Sequence, residues 1–169
     1  MSTDLVSEFQ STLRGTADAV EVVAGADFGA VMADHVESPA VGTPLEFEGV
    51  SYEGTPVEGL QSATDVRDLH TGVTAAGMGV AEYGTVTLRS TAAGEELVSL
   101  YPERHVAVLA ASDLVPDMTA AFERLGEEFA AGDRTQVLQT GPSTTADMGG
   151  LVEGVHGPKD VRVIVLEDR

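Results

Sequence analysis

Three short segments hold the side chains best suited to chemistry. The first is Thr140-Gly141-Pro142-Ser143-Thr144-Thr145-Ala146-Asp147, which carries four hydroxyls within six residues. Gly141 lets a backbone or a ligand come close, and Pro142 stiffens the turn. Thr140, Gly141, Ser143 and Thr144 are therefore candidates for holding a carboxylate or a phosphate, best of all if Ser143 or Thr144 opens a helix. The same residues would serve equally as an N-cap over a satisfied turn. The second segment is Gly154-Val155-His156-Gly157-Pro158-Lys159. His156 sits between flexible residues and changes charge near neutrality, which makes it a candidate catalytic group. Lys159 is the only lysine in the chain. It is a candidate partner for an anionic ligand, with Asp147 and Asp160 as the alternatives. The third is Ala81-Glu82-Tyr83-Gly84-Thr85, where a partly buried Glu82 could act as base or nucleophile, or simply hold the turn.

The other histidines are less informative. His35 lies on an apolar helix face and reads as packing, His70 sits in a loop, and His105 begins a core strand. The four are too dispersed to suggest a metal site. No Gly-x-Gly-x-x-Gly, phosphate-loop lysine or Gly-x-Ser-x-Gly elbow occurs.

Positioning these residues requires a scaffold, and the hydrophobic pattern outlines one. Leu5, Phe9 and Leu13 recur every four residues, so residues 4–14 read as an amphipathic helix. Residues 19–23 read as a strand, and Phe28, Val31, Met32, His35 and Val36 share a helical face. Residues 37–61 are rich in Gly, Pro and acid, which predicts loops with short strands at 45–47 and 51–52. Strands are expected at 73–76, 86–89, 105–110, 135–139 and 161–166. A helix after Pro116 has Met118, Phe122, Leu125 and Phe129 as its core stripe and Gly132 as its stop. Strands alternate with helices and several lack a polar face. The fold class is therefore α/β, a mainly parallel sheet covered by helices and Rossmann-like, with ligands expected beyond the carboxyl ends of the strands.

Composition sets the outer limits. The chain has 169 residues, the size of a single domain, 1–169. There are no cysteines, so no disulfide, thiol nucleophile or cysteine-ligated cluster belongs to this chain. Acidic residues number 28 against 9 basic ones, for a net charge of −19, yet 43% of residues are hydrophobic. An acidic surface around an ordinary core suits concentrated salt, where a Debye length of about 3 Å screens carboxylate repulsion. This points to a halophile, and to a haloarchaeon in particular. Scattered cations exclude a nucleic-acid partner. No apolar run approaches the ~20 residues of a membrane span, and the first residues lack a signal-peptide pattern. A cytoplasmic protein is expected.

The motifs also resemble a known family. Residues 140–147 and 154–159, followed by the closing strand, resemble the ending of the LUD (lactate-utilization) domain family and of its lactate utilization protein C branch. Ala81-Glu82-Tyr83-Gly84-Thr85 is similar to the family's Ala-Glu-Thr-Gly-Thr, with Tyr83 in place of a threonine. Ser99-Leu100-Tyr101-Pro102-Glu103-Arg104-His105 is similar to its Ser-Leu-x-Pro-x-x-His, and Val115-Pro116 follows in order. Gly149 stands where an acidic residue is common. The match runs over residues 72–166, with residues 1–60 weakly matched. The resemblance implies a fold shared with glucosamine-6-phosphate deaminases, ribose-5-phosphate isomerases and CoA transferases. It also implies a role in oxidising L-lactate to pyruvate with iron–sulfur partner proteins, which would carry the clusters this chain does not bind.

The expected function is an accessory or substrate-binding subunit for a small anionic substrate, with a homo-oligomer as one possible assembly. Glu82 and His156 would be its polar site groups, and Thr140, Gly141, Ser143, Thr144 and Lys159 its substrate contacts. The alternative is a stand-alone enzyme or binding protein for a phosphorylated or CoA-linked substrate.

Overall fold

The computed structural model describes the chain except for residues 1, 16, 18, 134, 146–151 and 155, and describes only the backbone of residues 2, 3, 19, 145, 152 and 153. Six strands form one all-parallel sheet: β1 (Ala19–Val23), β2 (Ala40–Gly42), β3 (Val57–Gly59), β4 (Thr71–Ala75), β7 (Arg104–Ala110) and β12 (Asp160–Leu166). Their order across the sheet is β1-β12-β7-β4-β2-β3. Every residue of β7 is buried. That is why the apolar runs at 105–110 and 161–166 show no polar face: both sides of these strands are covered.

One face is covered by the helix α2 (Phe28–His35), which drives Phe28 and Met32 onto Val73, Val106, Val108 and Ile164. The other face carries a second sheet, made of β5 (Met78–Val80), β6 (Thr85–Arg89), β8 (Leu114–Val115) and β9 (Gln136–Thr140) in the order β8-β5-β6-β9. Gly79, Val86 and Gln139 are in register across it. A Cβ on Gly79 would lie 2.6 Å from Leu109, while Gln139 bonds to His105, four residues earlier in the same strand. The hydrogen-bonding direction of the small sheet therefore runs along the strands of the large one, and the two sheets cross. Phe9 and Leu13 of α1 (Ser2–Leu13) complete this core.

Two more helices finish the frame. In α3 (Glu95–Leu100) the Val98 carbonyl sits against β4 so closely that a Cβ on Gly72 would fall 1.9 Å from it. The outer helix α4 (Met118–Ala131) lays Ala121 and Leu125 on Met78 and Val80 of the small sheet. Its N-terminus is capped by Asp117, whose carboxylate accepts the Ala120 N–H at 2.9 Å, and Gly132 ends it at φ +122°. A short hairpin, β10 (Thr144–Thr145) with β11 (Val152–Glu153), precedes β12. Among the described residues no helix is long and apolar enough to cross a membrane.

The parallel sheet agrees with the fold class read from the sequence, but several local expectations are corrected. Residues 45–47 and 51–52 are not strands; the short strands are 40–42, which pairs with β4, and the edge strand 57–59, which pairs with 40–42, formed where backbone pairs rather than where aromatic residues cluster. Residues 78–80, outside the expected strands, form β5. Phe122 and Phe129 are exposed, because α4 turns its Ala121–Leu125 stripe to the sheet and leaves those two on its flank.

Candidate functional site

In an open parallel sheet, a crevice forms between adjacent strands whose chain connections leave in opposite directions. Here β2 leads outward to β3, whereas β4 leads inward toward β7, so the crevice lies at the carboxyl ends of β2 and β4. A two-lobed cleft occupies this place. Pro44, Thr91 and Ala93 line both lobes.

The first lobe, about 460 Å³, is polar and includes Gly77, Arg89, Asp113 and Arg124 in its lining. Arg124 is held by three partners: it donates to Asp113 (2.7 Å), the Gly77 carbonyl (2.9 Å) and Glu128 (3.1 Å). Arg89 is less engaged: its Nε forms an ion pair with Asp133 at 3.5 Å, and it donates no hydrogen bond among the described residues. Glu95 is held by the Thr91 hydroxyl at 2.8 Å and the Thr91 N–H at 3.2 Å. Arg89 thus offers a guanidinium fork to an anion at the end of β6.

The second lobe, about 540 Å³, is more apolar, with Leu60, Leu97, Ala92 and Tyr52 in its wall. Tyr52 packs over Gly42, where a Cβ would lie 2.5 Å from the ring, and its hydroxyl donates to the Thr43 carbonyl at 2.7 Å. Burial pushes the Tyr52 phenol above its ordinary range, so it is a donor and not a base. The Thr43 hydroxyl is buried and lacks a hydrogen-bond partner among the described residues.

The residues singled out in the sequence lie elsewhere. Ser143 pins the hydroxyl loop to the histidine turn. Its N–H donates to the Pro158 carbonyl, its carbonyl accepts the Gly154 N–H (2.8 Å each), and its Oγ accepts the His156 N–H at 3.2 Å. Thr144 starts the hairpin strand β10 and opens no helix, which corrects that expectation. The His156 side chain is exposed. Lys159 pairs with Glu103 at 3.4 Å, both side chains more than half exposed, and not with Asp160. Its stem crosses Gly154, where a Cβ would sit 2.2 Å from Lys159 Cγ. Asp147 and Gly149 lie outside the described residues.

Glu82 is exposed rather than partly buried, on the turn from β5 to β6, where its N–H donates to the Pro116 carbonyl at 3.0 Å. Thr140 meets Thr85 at 2.7 Å, which joins the first and third segments, and Gly141 is buried at φ +66°. Among the described residues no hydrogen bond or ion pair links Glu82 to Ser143, His156 or Lys159. Ser143 and Lys159 stand at the amino ends of β7 and β12, opposite the crevice.

That amino edge holds a charge network. Buried Arg104 bonds to Asp160, Glu37 (3.0 Å) and the His35 carbonyl (3.2 Å), and Arg162 reaches Asp160 at 3.0 Å. Burial by itself would raise the Asp160 carboxyl, but the bonds from Arg162 and Arg104 outweigh it and hold it below the usual range. His35, read as packing, is indeed buried, and it also stands 3.4 Å from Arg162. His70 faces Glu37 at 3.3 Å.

Between the two sheets, His105 Nδ1 bonds Gln139 Oε1 at 2.6 Å and Nε2 bonds the Thr74 hydroxyl at 2.8 Å. An amide oxygen can only accept, so Nδ1 carries the proton and Nε2 accepts from Thr74. Burial lowers the imidazole to about 4, against a smaller upward pull from Gln139.

Comparison with known proteins adds the following. The LUD domain family model matches residues 45–166. Lactate utilization protein C of Bacillus licheniformis is 36% identical over 122 residues, covering 70% of this chain and 51% of that protein. The protein of that name from Halalkalibacterium halodurans is 37% identical over 122 residues, covering 70% and 52%. The chain thus spans about half the length of these curated relatives. A crystal structure of a DUF162 family protein from Deinococcus radiodurans superimposes with a TM-score of 0.72 over 98% of each chain at 20% identity, which bears on the fold alone.

Proposed function

The chain belongs to the LUD domain family, and from that premise we propose that it serves lactate utilization as an accessory, substrate-binding domain. In this reading L-lactate is oxidised to pyruvate, the two electrons leave through iron–sulfur partner proteins, since this chain has no cysteine to ligate a cluster, and the two protons pass to solvent. The observation that carries the reading is Arg89, which lines the crevice at the switch between β2 and β4 and is paired only through Nε, with Asp133 at 3.5 Å. It would hold the substrate carboxylate by a charge-assisted pair. The names of the related lactate utilization proteins support the choice of substrate.

A thermal-shift titration with L-lactate and pyruvate in about 2 M KCl tests this, under salt that screens carboxylate repulsion. A ligand at ~100 times its dissociation constant adds about 2.7 kcal/mol, which a melt detects. Stabilisation by either acid that disappears in Arg89→Gln is expected. No stabilisation by either overturns the binding role, and turnover of lactate by this chain alone with an artificial electron acceptor overturns the accessory role.

A second reading draws on the apolar lobe, whose volume of about 540 Å³ exceeds what lactate fills. It is a stand-alone enzyme or binding protein for a phosphorylated or CoA-linked substrate. The same titration with sugar phosphates and acyl-CoA esters decides between the two.

A further inference from the structure

The two lobes of the crevice differ in charge. Every charged residue of its lining, Glu46, Arg89, Glu95, Asp113 and Arg124, belongs to the first lobe. None of the fourteen residues lining the second lobe is charged. That is unusual surface for a chain of which 22% is charged and whose net charge is −19.

The uncharged wall is set by packing. Leu60 and Leu97 rest on Val41, Val66 and Val98 of the core beneath. The Tyr52 ring is seated on Gly42 and tied by its hydroxyl to the Thr43 carbonyl. Gly94, at φ +88°, stands so near Leu60 that a Cβ there would lie 2.5 Å from Leu60 Cδ2.

Pro44, Thr91 and Ala93 line both lobes, which makes the two continuous. An acid held at Arg89 can therefore extend past these residues into the second lobe. Whatever enters there must be uncharged, because a carboxylate or phosphate would lose its water and find no cation. Lactate offers only a methyl group to this space, whereas the lobe has about 540 Å³, within the range that takes a drug-sized ligand.

We propose that the crevice prefers α-hydroxy acids whose side chain is longer than the methyl group of lactate, with the carboxylate at Arg89 and the apolar chain in the second lobe. This preference rests on the role of Arg89 as the carboxylate's partner. Polarity divides along the ligand as it divides along the cleft: one anionic end, one apolar end. A second carboxylate on the ligand would fall in the lobe that has no cation.

Isothermal titration calorimetry of the full chain in about 2 M KCl tests this, with L-lactate, L-α-hydroxybutyrate, L-α-hydroxyvalerate, L-α-hydroxycaproate and L-malate as probes. The dissociation constant should fall roughly two- to fourfold for each added methylene. L-malate should bind more weakly than L-α-hydroxybutyrate. Leu60→Ser, which removes apolar wall, and Ala92→Asp, which sets a carboxylate in the second lobe, should each flatten the dependence on chain length. Circular dichroism confirms that both variants fold. Tyr101→Ser, 66% exposed and outside the crevice lining, should leave the dependence as it is.

Equal affinity along the series, still abolished by Arg89→Gln, overturns the preference for longer chains and leaves lactate binding at Arg89 standing. No binding by any of the acids overturns both. A gain with length that persists in Leu60→Ser and in Ala92→Asp overturns the placement of the chain in the second lobe.

Discussion

A neutral imidazole held between two sheets ties the stability of this protein to pH. Folded, His105 titrates at about 4; unfolded, it returns to 6.5. As pH falls through 6.5 the unfolded chain takes the proton first. The contribution of His105 is therefore complete above about pH 6.5 and is lost on the way down to about pH 4, an effect on the order of 3 kcal/mol. Urea unfolding at pH 7.5 and at pH 5 should show the loss in the parent protein and a smaller one in His105→Gln. Carboxylate titration is common to both and cancels in the comparison. An NMR titration of His105 should find it neutral at pH 5. Lys159 is the contrasting residue. Its pair with Glu103 is exposed, and such pairs contribute under about 1 kcal/mol. Lys159→Ala should therefore leave both the melting temperature and the lactate-induced shift nearly unchanged, whereas Arg89→Gln removes the shift. A lone lysine draws attention in a sequence of carboxylates, but rarity of type does not specify location. Arg89 was equally visible as the cation closing a strand, and only its place beside the switch point gives it meaning.

Elements were legible where one pattern determines them. β1 was read at its own bounds from its β-branched residues, and β7 and β12 nearly so, because strands buried on both faces must be largely apolar. The three-residue strands β2, β3 and β5 were not, since strands that short carry no period and exist through their neighbours' backbone. The amphipathic stripe of α4 was misread for a related reason. Phenylalanine outranks alanine in hydrophobicity, but Ala121 lets the helix approach Met78 and Val80 closely, and Phe122 remains outside. Close approach recurs at α3 and β4. Gly72→Ala would drive a Cβ into the Val98 carbonyl, where neither backbone can yield cheaply. It should cost about 3 kcal/mol by overpacking, read as a lower urea midpoint. Asp117→Ala removes the α4 cap and should cost about 1 kcal/mol in the same assay.

At the scale of the molecule, the net charge of −19 dominates. The described cations are mostly paired locally, Arg104 and Arg162 with Asp160 and Arg124 with Asp113 and Glu128. The surplus carboxylates repel one another at ordinary ionic strength. We expect the melting temperature to rise steadily between about 0.1 and 2 M KCl as the Debye length shrinks from about 10 Å to below 3 Å. Full stability in dilute buffer would show that the halophilic reading of the composition is mistaken.

The sequence by itself determined the class of the fold, the family and the parallel core, because continuous apolar runs and motifs in series are properties of the chain in order. It also grouped Ser143, His156 and Lys159 with Glu82 in one candidate site; in the structure Ser143 bonds to Gly154, His156 and Pro158 as a structural unit, and among the described residues no hydrogen bond joins it to Glu82. Only the tertiary structure decided that this unit sits at the amino edge, and that the crevice forms between β2 and β4 from Thr43, Gly77, Arg89 and Thr91. It likewise decided that His105 spans to Thr74 and Gln139. Those residues are 31 and 34 positions away from His105 in the chain. Contacts of that separation depend on which strands become neighbours, and strand order is fixed by packing the whole sheet, not by any local pattern.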